Sequence, residues 1–315
     1  MDLPARSTFL LRVRPLRWIV LGSLAPVVLA ASLFAWTALD PAWRTPESGT
    51  TAELPRLPPT RSSLPELVLC AWNLEKVRFF SDGRFRHPDD VRVQLERIAA
   101  FLRKERVDVA FLSEVVFACD PAPFNQVEFL AREAGFHAWA YGDNYRFGFP
   151  FLRIRSGNAI LSRLPLEALR VDELPGSARF WNPRNQRRLL WARLSIGGER
   201  LLCGSVRNDS FDLANNALQV ESILQGLPDE PVVLGGDFNA TPSDRSFELL
   251  EASGRFSGVF HGDATFPAQV PRRRIDTVLV PRGWHVVAER VADVNLSDHE
   301  PVLVEVRLPT VGDGG

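Results

Sequence analysis

From residue 66 to residue 308, apolar runs of strand length alternate with longer amphipathic stretches, and this alternation constrains the fold more than any other feature. LVLCAW (67–72), DVAFLSEV (108–115), NAILS (158–162), RRLLWARLSI (187–196) and RLLCGSV (200–206) read as strands. VRVQLERIAAFLRKE (91–105) places Val91, Leu95, Ile98 and Leu102 on one helical face. FNQVEFLAREAG (124–135), closed by Gly135, and LANNALQVESILQG (213–226) are further helices. Gly197-Gly198 signals a hairpin between two of the strands. RIDTVLV (274–280) and PVLVEVRL (301–308) close the chain as strands around another apolar run at 285–292. Such a mixture implies an α/β fold, two packed sheets with helices outside.

The N-terminus carries a different signal. After Arg12, Arg14 and Arg17, residues 18–39 (WIVLGSLAPVVLAASLFAWTAL) contain no charge. As a helix this run is roughly 33 Å long, against a hydrocarbon core of ~30 Å. Trp18 and Trp36 stand where interfacial aromatics belong, and Pro26 is tolerable in a membrane helix. A cleaved signal peptide ending at Val28-Leu29-Ala30 is the rival, but the apolar run continues past that point. The expected organisation is a cytoplasmic segment 1–17, an anchor 18–39, a proline-rich spacer 40–65, a domain 66–310 outside the cytoplasm, and a tail 311–315.

The net charge of −1 argues against a generally basic nucleic-acid binder. Lys76 and Lys104 are the only lysines, an arginine bias that points to a GC-rich, bacterial genome. Three widely spaced cysteines form neither a disulfide framework nor a zinc pattern; Cys70 and Cys203 read as small core residues and Cys119 as a loop residue.

Several strands end in polar residues that packing does not explain. Asn73 and Glu75 share one face of WNLE, Glu114 ends DVAFLSE, and Asp237 and Asn239 end the strand running into GGDFN. Asp276 sits inside RIDTVLV, and Asp298-His299 precedes the last strand. A buried acid is costly unless paired or bound to metal. For each residue alone a turn or a satisfied core acid is the simpler reading; the recurrence of acids, amides and one histidine at one kind of position weakens it.

WNLE, SEV, GNAILSR (157–163), GGDFN, RID and SDHEP occur in an order and spacing that resembles the endonuclease/exonuclease/phosphatase superfamily. The resemblance implies a four-layer α/β sandwich of two mixed sheets, here following one N-terminal transmembrane helix. It implies a hydrolase of phosphate esters using Mg2+ or Mn2+. It makes Glu114 the main metal ligand, with Glu75 and Asp298, and Asn73 close by. Asp237 would orient or deprotonate the attacking water, and Asn239 would bind phosphate or hold Asp237. His299 would donate hydrogen bonds to phosphoryl oxygens, with Asp276 fixing its tautomer and charge.

One position departs. Many members carry a second catalytic histidine at a strand end where this chain has Arg207, followed by Asn208. Arginine cannot give up a proton but can hold a phosphoryl oxygen. Arg207, Asn208, Asn158 and Tyr145 are the expected substrate-binding residues. The arginine clusters NPRNQRR (182–188) and PRRR (271–274) read equally as phosphate contacts or solvated loops, and YGDNYRFGF as a stacking surface or ordinary packing. The expected substrate is a phosphodiester of nucleic acid or a phospholipid head group, acted on by a monomer; the alternative is a non-catalytic member that binds phosphorylated ligands.

Overall fold

The computed structural model describes residues 14–39, 45–51, 66–81, 84–119, 125–150, 152–176, 187–196, 199–258 and 262–309. Strands β1 (Glu47–Thr50), β2 (Glu66–Asn73), β5 (Val109–Cys119), β6 (Ala138–Phe149), β7 (Leu152–Ser162), β14 (His285–Val291) and β15 (Val302–Arg307) form a seven-stranded sheet, ordered β1-β6-β7-β5-β2-β15-β14. Strands β8 (Leu166–Glu173), β9 (Arg188–Ile196), β10 (Glu199–Arg207), β11 (Val232–Asp237), β12 (Phe256–Gly258) and β13 (Asp276–Pro281) form a six-stranded sheet, ordered β12-β13-β11-β10-β9-β8. A small ribbon joins β3 (Phe80–Ser81) to β4 (Arg84–Phe85).

Period-2 alternation builds the layers. Leu67, Leu69 and Ala71 of β2 face Leu190, Ala192 and Leu194 of β9 in the core between the sheets. Cys70 and Trp72 point the other way, onto helices α2 (Pro88–Lys104) and α3 (Gln126–Ala134). On the opposite side Leu189, Trp191, Leu202 and Val206 pack against α4 (Leu213–Gln225) and α5 (Arg245–Ala252). The order is helix, sheet, sheet, helix, as the strand pattern and the resemblance imply.

Each sheet contains one parallel pair joined through a helix, β2 with β5 across α2 and β10 with β11 across α4. Both pairs therefore end at one edge of the sandwich, the place where open α/β sheets bind ligands. Two glycines let the sheets close there. A Cβ on Gly235 would lie 2.5 Å from the Phe111 ring, and Gly236 sits at φ +143 against the backbone of Val206. What approaches these glycines is the protein's own second sheet and neighbouring strand.

Several local expectations change. The spacer contains an edge strand: β1 pairs with β6, and Thr51 Oγ1 donates to the Phe136 carbonyl at 2.7 Å. Cys119 ends β5 and is buried. YGDNYRFGF falls in β6, whose length the mixed pattern concealed, and α5 is an additional helix. Residues 52–65, 182–186, 197–198 and 311–315, with His261 and the Tyr145 side chain, lie outside the described residues. Helix α1 (Arg14–Leu39) carries the apolar N-terminal run, and Leu24, Val27, Val28, Leu29 and Trp36 are exposed. Its side chains are described over residues 24–37, and among the described residues no helix is long and apolar enough to cross a membrane.

Candidate active site at the seam between the sheets

Strand register assembles the site. Arg207 lies beside Asp237 in the parallel pair β10–β11, and Asp237 lies opposite Asp276 in the antiparallel pair β11–β13. From the other sheet come Asn73 at the end of β2 and Glu114 within β5. Because β15 runs antiparallel to β2, the segment before β15 returns to the same edge, where the Trp72 indole donates to the His299 carbonyl at 2.8 Å.

Asn73 is the bridge between sheets. Its Nδ2 donates to Glu114 Oε1 at 3.2 Å and to Asp237 Oδ2 at 2.9 Å, while its Oδ1 accepts from the Glu75 amide at 3.0 Å. Asp237 is almost wholly enclosed. It accepts from the Asn239 amide (3.0 Å) and from Asn239 Nδ2 (2.9 Å). That first bond is an Asx turn, and Asn239, at φ +51, shares a side with Asp237 through this turn, since β11 ends at Asp237. Phe238 between them goes into the core, as strand alternation predicts.

Electrostatics separates the acids. Burial, reinforced by Asp276, pushes the Asp237 carboxyl up to about 6, despite His299, Arg207 and Asn73. Burial alone would push the Glu114 carboxyl up too, but Arg207 and Lys76 outweigh it and hold it well below the usual carboxylate range. For His299, burial opposes the charge, yet Asp276, Asp237 and Asp298 raise the imidazole to about 10. Asp276 Oδ2 faces His299 Nδ1 at 2.8 Å and accepts from Thr265 Oγ1 at 2.7 Å, which sets the ring's orientation. Burial raises the Asp298 carboxyl, and the Glu75 and Glu114 charges add to this against the pull of His299.

This rim bears on metal. Glu114, Glu75 and Asp298 are hard oxygen donors on neighbouring strand ends and turns of one sheet edge, the donor chemistry that Mg2+ or Mn2+ takes. A second acidic group, Asp237, Asp276 and His299, has ligand-type atoms all within 4.8 Å of one another. In that group the His299 ring is held by Asp276 at 2.8 Å, an arrangement suited to proton handling.

Arg207 is turned onto the acids: its guanidinium pairs with Glu114 Oε1, and its Nε lies 3.8 Å from Asp237 Oδ2. Asn208 is fully buried, and both polar atoms of its side chain are without a hydrogen-bond partner among the described residues. Asn158 is drawn away from the centre. Its amide donates to the carbonyls of Arg188 (2.9 Å) and Ser205 (3.1 Å), tying the sheets together. In PRRR, Arg272 and Arg273 are exposed and Arg274 is buried against Glu289 at 2.6 Å, a structural ion pair.

Two residues at the site carried no sequence signal of their own. Lys76 Nζ pairs with Glu114 Oε2 from a turn, Glu75–Arg78, whose four residues all have positive φ. Arg187 reaches in from just before β9, donating to the Asn208 carbonyl at 2.9 Å; burial and the Arg207 charge both disfavour its cation. Its membership of an arginine cluster was the only available hint.

An α/β sandwich with acids, amides and a histidine gathered at shared strand ends is a phosphoester-hydrolase architecture. The chain belongs to the endonuclease/exonuclease/phosphatase family, whose model matches residues 70–299. Members are generally hydrolases of phosphoester bonds and are typically divalent-metal dependent. Similar solved structures include an endonuclease/exonuclease/phosphatase from Beutenbergia cavernae (22% identity, TM-score 0.59), covering 77% of this chain and 72% of that one. A mannosyl-6-phosphatase from Bacteroides thetaiotaomicron (16%, 0.57) covers 77% and 100%. Humanized TDP2 from D. rerio (15%, 0.56) covers 78% and 100%. At these identities the likeness is one of fold. No curated protein matches the chain.

Proposed function

We propose that the protein is a Mg2+-dependent phosphodiester hydrolase, anchored in a bacterial membrane through the uncharged run 18–39 and facing the extracytoplasmic side. The observation that carries the catalytic part is the Asn73 bridge, which sets the Glu114 carboxylate and the Asp237 base side by side. When bound, Mg2+ supplies a Lewis acid that polarises a phosphoryl oxygen and stabilises charge on the leaving group. Asp237, poised near neutrality and held by Asn73 and Asn239, takes a proton from the attacking water. The His299 cation, oriented by Asp276, donates to the phosphoryl oxygens as their charge grows. Arg187 and Arg207 repel each other, and an anionic phosphate between them relieves that repulsion.

The anchor is supported by the uncharged run 18–39, the arginines before it and the exposed apolar side chains of α1. A phosphatase reporter fused after Gly315 should be active in a bacterial host and a cytoplasm-only fluorescent reporter dark; the reverse pattern would refute it.

Nucleic acid and phospholipid head groups both present the required diester. TDP2 has been solved with a single-strand DNA product, and the Bacteroides thetaiotaomicron relative is a sugar phosphatase. The deciding experiment is hydrolysis by the purified protein with Mg2+ of plasmid DNA, single-stranded DNA, RNA, a phosphocholine diester and a hexose 6-phosphate. No turnover on any, with saturable binding of a phosphorylated ligand, would establish instead the non-catalytic reading, which the coverage of Glu114 by two side-chain cations favours.

A further inference from the structure

Glu114 has no vacant oxygen. Oε1 accepts from Asn73 Nδ2 and from the Arg207 guanidinium, and Oε2 pairs with the Lys76 ammonium. Its two cationic partners are not equivalent. Arg207 extends from a regular strand and is also held near Asp237. Lys76 is more exposed, with 26% of its side chain accessible against 16% for Arg207. It stands on a turn in which Glu75, Lys76, Val77 and Arg78 have φ of +47, +54, +57 and +50. Each non-glycine residue there costs roughly 1–2 kcal/mol, so the turn is held in place by its contacts. An ammonium is also a compact charge on a flexible stem, suited to leaving a carboxylate and returning to it.

We propose that Lys76 is an internal counter-ion that occupies the Glu114 end of the metal site, so that a divalent cation binds only by displacing it. Lys76 is thus a residue that sets metal affinity by acting through Glu114. The inference rests on the hydrolase reading above for the identity of the metal rim and adds a residue to it. The physical basis is competition. The Lys76 ammonium and a divalent cation at the same Glu114 oxygen repel each other at contact distance, and a protein whose site is nine-tenths latched binds metal about 10-fold more weakly than one with the latch open. The arrangement keeps the rim's charge balanced when metal is scarce, since Glu75 is neutralised in the same turn by Arg78 at 2.6 Å.

The test uses the full chain and Mg2+ or Mn2+ alone. Calorimetric titration should show Lys76→Met, which keeps the apolar stem, binding metal about 10-fold or more tightly than wild type, with Lys76→Arg close to wild type. Equal affinity of wild type and Lys76→Met, or binding by neither, overturns the proposal. A second measurement needs no variant. Lys76 and Lys104 are the only lysines, and the Lys104 side chain is 83% exposed, so it serves as an internal reference. Acetylation followed by mass spectrometry should show the Lys76-to-Lys104 labelling ratio rising several-fold at saturating Mg2+. An unchanged ratio overturns the proposal, even if the Lys76→Met protein does not fold. Phosphodiester hydrolysis is scored separately: turnover with an indifferent Lys76 leaves the hydrolase reading standing, and metal-driven release of Lys76 without turnover on any substrate does the opposite.

Discussion

Asp143 and Glu114 are each gripped by a pair of side-chain cations, and they do different work. Asp143, in the β6–β7 hairpin, is met by Arg146 Nε at 2.9 Å, by Arg155 NH2 at 2.9 Å and by the Tyr141 hydroxyl at 2.8 Å. Its side chain is 1% exposed, and its arginines 8% and 10%. Glu114 is met by Lys76, Arg207 and Asn73, but its side chain is 14% exposed and its cations 16% and 26%. The first cluster is enclosed within one hairpin, with every member on β6 or β7. The second straddles two sheets and a left-handed turn at an open seam. A closed cluster ties structure together; an open one can exchange a partner for a ligand.

Substitution should separate the two. Glu114→Gln should lower kcat/KM by more than about 10³-fold while changing stability by only about 1 kcal/mol, because its partners remain partly hydrated. Asp143→Asn should do the reverse, costing about 3–5 kcal/mol because two buried guanidiniums lose a counter-charge. A denaturation series alongside steady-state kinetics checks both, and similar profiles for the two variants would erase the distinction. Next in size, Arg207→Ala should cost about 10²–10³ in kcat, the effect of losing one preorganised donor. Because arginine gives up no proton, the wild-type protein should cleave activated p-nitrophenyl phosphodiesters, whose leaving group needs none, relatively well. Unchanged kinetics on every substrate would place Arg207 on the rim.

The pH profile sharpens the contrast on the side of the base. Asp237 must be ionised to accept a proton and its carboxyl is pushed up to about 6, so kcat/KM should fall as pH drops through about 6, roughly tenfold per unit below it. Asn73 donates to the charged form and lowers this value, so Asn73→Ala should move the limb to higher pH; a limb that stays put would remove Asp237 as the base. The smallest effect concerns the hairpin's outer edge. Arg155 also reaches Glu47 of β1 at 2.5 Å. A protein beginning at residue 52 should therefore melt about 2–4 °C below one beginning at residue 40, for about 1 kcal/mol of lost edge pairing. Equal melting temperatures would mean that β1 contributes nothing.

Much of this was legible in the residues. Apolar alternation in LVLCAW and RRLLWARLSI marks strands with two buried faces, and the two cores that divide Leu69 from Cys70 are its direct consequence. Acids and amides at strand ends marked Asn73, Glu114, Asp237, Asp276 and His299, and strand register brings all five to one edge. Asn158 shows the limit of a motif: the residue is where the pattern expects it, but its amide is spent on the Arg188 and Ser205 carbonyls. The spacer shows the limit of composition, since four residues among many prolines pair with β6.

What the sequence determined by itself is what depends on near neighbours: the strand and helix periods, the Asx turn of Asp237 and Asn239, and the caps that start α3 and α4 at Asn125 and Asp212. These rest on contacts within a few residues, and the chain alone specifies them. The tertiary structure decided which charges meet. Lys76 and Glu114 are 38 positions apart, and Arg207 and Glu114 are 93 apart. The first encounter requires β2 and β5 to lie side by side and the second requires β5 and β10 to lie in facing sheets, which the Phe111 ring seated over Gly235 lets approach closely. Charge pairing at such separations acts through space and leaves no period along the chain, so only the packed sheets reveal that the Glu114 carboxylate already holds two cations of its own.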